Sequence, residues 1–82
     1  MGLFNLFFGR AGGDGSSAAQ AVVVKSISQE YTWIKRYCPG FQLQTQALQD
    51  IEGKPYDILT LCNAVGEQRT IYFDISQFFG KF

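Results

Sequence analysis

Asp57 and Asp74 are the two side chains whose type and spacing most readily suggest chemistry. Each lies in a segment rich in apolar and β-branched residues, YDILTLCNA over 56–64 and RTIYFDIS over 69–76. Joined by a short turn, the two segments would bring the aspartates near-opposite on one face of a hairpin. Two close carboxylates compete for one proton, so they can work as acid and base or hold a divalent cation. No third ligand and no phosphate-cradling glycine loop accompanies them. Lys54 or Lys81 could neutralise them at the open end of the hairpin, and this solvated reading outweighs the catalytic one.

Other chemistries are poorly supplied. The chain has no histidine, which removes the usual general base, the commonest metal ligand and every Ser–His or Cys–His nucleophile. Cys38 and Cys62 form no CxxC pair and make only half a tetrahedral zinc site. Neither has a basic activator nearby in sequence, so both read as small core residues. AGGDG lacks the spacing of a phosphate loop. The expectation is a protein that is not an enzyme and needs no cofactor or metal.

Trp33, Lys35, Arg36 and Tyr37 combine aromatic and basic character, as single-strand nucleic-acid binders do. The total of seven basic and seven acidic residues gives zero net charge, and only Lys35 and Arg36 adjoin. No field steers this chain to nucleic acid, and no nucleic-acid partner is expected. Trp33 reads instead as a residue flanking the core.

These residues must be positioned by a small core. Eighty-two residues with 46% apolar and 16% aromatic content make one globular domain, not a disordered chain. Residues 11–20 are mostly Gly, Ser and Ala, a flexible coil spanning about 17 Å. The chain therefore divides into an arm and linker over 1–20 and a compact domain over 21–82. AVVVKS is a short strand, since consecutive β-branched residues disfavour helix. Ser26 and Gln29 fit a capping box, opening a helix over residues 27–37 that Pro39-Gly40 ends. Ile27, Tyr31, Ile34 and Cys38 form its apolar stripe. A rival reading fuses 18–37 into one helix; the break at Ser26 is preferred.

Residues 41–52 suit either strand or helix. Glu52-Gly53-Lys54-Pro55 is turn chemistry, and two strands follow, which favours a three-stranded antiparallel meander. The expected fold is α+β, in β-α-β-β-β order, with one helix on a three- to four-stranded antiparallel sheet. Turns of two or four residues pair odd positions with even ones. That rule puts Leu43, Thr45, Ala47, Ile51, Ile58, Thr60, Cys62, Ile71, Phe73 and Ile75 beneath the helix. The second face then carries Gln42, Gln44 and Gln46 beside Leu48, Leu59, Leu61 and Tyr72. So much apolar surface calls for a cover: the arm, the C-terminal QFFGKF, a second copy or a partner.

The arm MGLFNLFFGR is the other apolar surface, through Leu3, Phe4, Phe7 and Phe8. As a helix, its apolar run would reach only roughly 12 Å, well short of the 30 Å needed to span a bilayer. It could lie in a membrane interface or dock on protein. Its Met-Gly start lacks the Ser or Thr that a myristoylation signal wants where Leu6 stands. Two cysteines and no basic leader point to a cytoplasmic protein, with peripheral membrane contact through the arm as the variant. The sequence thus reads as a small protein-interaction or self-association domain. Its alternatives are a peripheral membrane adaptor and, more weakly, a catalytic or binding domain using Asp57 and Asp74.

Overall fold

A computed structural model describes residues 13–80, an α+β domain of one helix on a four-stranded mixed sheet. Strand β1 (Val22–Val23) precedes helix α1 (Ile27–Tyr37). Strands β2 (Gln42–Ile51), β3 (Lys54–Cys62) and β4 (Gln68–Asp74) then form a meander. The spatial order is β1-β4-β3-β2, with β1 parallel to β4 and the rest antiparallel. The parallel β1 is the one departure from the all-antiparallel expectation. It follows from the α1 crossover, which returns the chain to the sheet in the same sense.

Local chemistry sets the boundaries of α1. The Ser26 hydroxyl accepts the Gln29 N–H at 3.3 Å, and the Gln29 side chain reaches back to the Lys25 N–H at 2.7 Å. This is a capping box displaced by one residue at its second bond. At the other end Cys38 N–H still donates to Ile34, and Gly40 takes the left-handed conformation at φ 85° before the chain turns into β2. The ambiguous residues 41–52 are strand, because a two-residue turn pairs Ile51 directly with Lys54. Glu52 and Gly53 both have positive φ, the signature of a type I′ hairpin.

The core lies between α1 and the sheet: Val22, Val24, Ile34, Cys38, Leu59, Leu61, Ile71, Phe73 and Ile75, flanked by Trp33, Phe41 and Phe78. This corrects the expected faces. Leu59 pairs with Ile71 and Leu61 with Arg69, so odd positions of β3 meet odd positions of β4. The cause is the β3–β4 connection, whose residues 63–67 number five and close with an Asn63 N–H to Glu67 bond at 3.0 Å. A one-residue change in loop length turns a whole strand over. Ile58, Thr60 and Cys62 therefore face away from α1, and Thr45 and Ala47 go with them. A bulge at Gln44, between Leu43 and Thr45, returns Leu43 to the helix side.

Residues 13–20, expected as flexible linker, are docked. Gly15 is buried, accepts the Tyr72 N–H at 2.7 Å and donates to Gln20. The Gly13 N–H donates to the Ala21 carbonyl at 3.0 Å, so this segment folds back on the start of β1. The rest of the arm, including Leu3, Phe4, Phe7 and Phe8, lies outside the described residues.

Candidate functional site

The helix stripe is rotated from the expected one. Ile27 and Tyr31 are exposed, while Glu30, Ile34 and Cys38 are buried and Trp33 and Tyr37 are half-buried. Trp33, the largest side chain, meets Phe73 of β4 edge-on at 5.7 Å. Seating it there turns Glu30 into the interface, directly over the β3 side.

Glu30 is 0% exposed, and neither carboxylate oxygen accepts a hydrogen bond among the described residues. The side chain that faces it is Asp57, itself 3% exposed. Two ionised carboxylates would present only acceptors to each other, so the pair is satisfied when Glu30 is protonated and donates. Burial first, then Asp57 as acceptor and as negative charge, push Glu30 from 4.5 up to about 8. Asp57 is fixed from the other side by Gln46 of β2, whose Nε2 donates to both oxygens at 3.0 and 2.9 Å.

Asp74 is elsewhere. It pairs with Tyr56 in register, on the face away from α1, so the two aspartates are not brought together. Its Oδ2 meets Lys54 Nζ at 3.0 Å, and its Oδ1 accepts both the Ser76 N–H and hydroxyl. Burial acts to raise this carboxyl, but the Ser76 bonds and the Lys54 charge outweigh it and hold it below 3.8. Among the described residues no three His, Cys, Asp or Glu converge on a metal position.

Gln46 leads to the most exposed element. All of β2 but Ile51 is exposed, and among the described residues no strand neighbours its far side. In a two-residue hairpin, residues 51, 49, 47 and 45 hydrogen-bond inward to β3. The N–H and C=O of Gln46, Leu48 and Asp50 then point outward. The opposite edge of the sheet is handled differently. There the outward Tyr72 N–H is taken by Gly15 and the Asp74 carbonyl by Val24. Strand β1, only two residues long, blunts that edge.

Exposed apolar side chains flank β2 on the α1 side of the sheet. Leu48 and Leu43, opposite Asp57 and Leu61, stand on the α1 side of the sheet, and Leu48 is 57% exposed. On α1, Ile27 and Tyr31 project from the flank opposite Trp33, at 100° per residue. Trp33 leans to β4, so this second flank leans to β2. Ile27 is 47% exposed there. The Gln46–Asp57–Glu30 row links β2, β3 and α1 on that side, with Asp57 and Glu30 buried.

Of the residues expected on an uncovered face, Leu59 and Leu61 are fully buried, because α1 itself is the cover. Tyr72 is half-buried on the far face beside Ile58, and Leu48 alone stays open to solvent at the edge. Glu30 lies outside the expected stripe, and the packing of Trp33 on Phe73 is what turns it inward. Among the described residues no helix is long and apolar enough to cross a membrane. Comparison with protein-family models, curated proteins and solved structures returned no match.

Proposed function

We propose that this is a self-associating interaction domain, whose β2 edge hydrogen-bonds antiparallel to the β2 of a second copy. The observation that supports it is the contrast between edges: β1 and residues 13–20 close one, while no described residue pairs with the outer side of β2. Natural sheets protect long edges with Lys, Pro, inward charges, bulges or a covering segment, and the bulge of β2 at Gln44 leaves residues 45–51 in regular register. QLQTQALQDI contains no Lys or Pro and one charge, Asp50.

A two-fold axis at Leu48 sets the outward-pointing residues against one another. Leu48 meets Leu48 of the second copy, and Gln46 meets its Asp50. No like charges face each other in that register, and a chain of zero net charge meets no long-range repulsion from its copy. An axis normal to the sheet keeps both helices on one side. The exposed Leu43, Leu48, Ile27 and Tyr31 of the two copies then stand on the same side of the joined sheet.

Sedimentation equilibrium of the full chain tests this. Leu48→Pro deletes an outward N–H while sparing the inward bonds to β3, and Leu48→Lys adds a charge at the axis. A concentration-dependent dimer that both variants dissociate, with circular dichroism unchanged, supports the proposal. A wild-type monomer throughout, or a dimer indifferent to both, overturns it.

A further inference from the structure

On the flank of α1 away from β2, a depression of about 420 Å³ opens between the helix, β4 and the docked residues 13–20. Its volume lies within the range of small-molecule sites. Trp33 and Tyr37 form one wall, their ring centroids 5.0 Å apart and tilted by 44°. Trp33 is fixed from behind by Phe73, so its orientation is set before any ligand arrives. Ile71 adds an apolar floor.

Arg69 is the charged member. Its register opposite Leu61 places it on the α1 side of the sheet, where Ile71 and Phe73 of the same strand are buried. Nη1 donates to Cys38 Sγ at 3.5 Å, and Cζ lies 4.6 Å from the centre of the Phe41 ring. The exposed guanidinium thus lies over an aromatic face, yet forms no ion pair with a carboxylate among the described residues. A guanidinium has five N–H donors and no acceptor, so most of its fork is left for another molecule. Asp14 lines the same depression without pairing with Arg69. Its Oδ1 accepts the Ser16 N–H and hydroxyl at 3.0 and 2.7 Å, which hold it as a carboxylate.

We propose that this depression binds a small planar aromatic carboxylate, its ring against Trp33 and its anionic end on the Arg69 guanidinium. Asp14 repels the anion and so fixes which end of the ligand points to Arg69. The site is independent of β2, since it uses the other flank of α1.

The test is a ¹H–¹⁵N titration of the full chain with 4-hydroxybenzoate, and in parallel with its uncharged analogue 4-hydroxybenzamide. The acid should produce saturable shifts at the Trp33 indole N–H, Arg69 and Thr70. The amide should bind about tenfold or more weakly, because it cannot satisfy the guanidinium charge. Arg69→Gln should weaken the acid by a similar factor and leave the amide nearly unchanged. Absence of saturable shifts, equal binding of acid and amide, or shifts clustered away from Trp33 would each overturn the site. The acid–amide contrast on the wild-type chain decides the matter even where Arg69→Gln does not fold.

Discussion

Replacing Glu30 with Gln should stabilise this protein, and the gain should grow with pH. In the unfolded chain Glu30 loses its proton near 4.5, whereas in the folded domain it keeps the proton up to about 8. Between those values the unfolded state binds fewer protons, so folding stability falls as pH rises and levels off above the folded value. Each unit of separation corresponds to about 1.4 kcal/mol. At pH 7 roughly two and a half units have been crossed, a loss on the order of 3 kcal/mol relative to pH 4.5. A domain this small has a total stability of only about 4–12 kcal/mol, so the effect is large. Glutamine has nearly the same shape, never ionises, and its amide can donate to Asp57 as the protonated acid does. Urea unfolding of both proteins at pH 5 and pH 8 measures the effect. At pH 5 the two should agree within about 1 kcal/mol, and at pH 8 Glu30→Gln should lead by roughly 3–5 kcal/mol. Wild-type stability that is flat or rising over this interval would refute the buried-acid account. So would a Gln variant less stable than wild type at pH 8.

Leu61→Lys should unfold the domain, because it buries a charge beneath α1, while Ile58→Lys on the far face should cost only about 1–2 kcal/mol by thermal denaturation. Equal effects would mean that the β3–β4 register is wrong. Glu52 has φ 53° at the first turn position, where Asn is at ease, so Glu52→Asn should raise stability by about 0.5–1 kcal/mol in urea. An unchanged or lower midpoint would argue against the type I′ turn. Gly15→Ala should lower stability by roughly 2 kcal/mol, since Gly15 has φ 84° and a Cβ there would lie 2.7 Å from Ile71 Cγ2. A neutral result would show that residues 13–20 are not docked on β4.

Much of this fold is legible in the sequence, because each element has its own local code. Ser26 and Gln29 mark the start of the helix and Pro39-Gly40 its end. Gly53 marks the hairpin that makes residues 42–51 a strand. The facing of β3 depends instead on a count of loop residues, and composition around Gly66 does not distinguish a four-residue connection from a five-residue one. That single residue moved Leu59 and Leu61 from the expected open face into the core. Glu30 was illegible for another reason. An acid in the first helical turn is favoured by the helix dipole wherever it points, so its type says nothing of burial. Only the packing of Trp33 on Phe73 reveals it. Asp57 and Asp74 parted because Asp57 pairs with Phe73 and Asp74 with Tyr56, and adjacent positions on a strand face opposite sides.

The self-association of β2 is tested most directly by amide hydrogen exchange, residue by residue, at low and high protein concentration. The amides of Gln46, Leu48 and Asp50 point away from β3, so they should exchange rapidly in dilute protein. They should become protected as concentration rises, while Ala47 and Gln49, bonded inward, should change little. Exchange at Gln46, Leu48 and Asp50 that stays fast and independent of concentration would contradict the account.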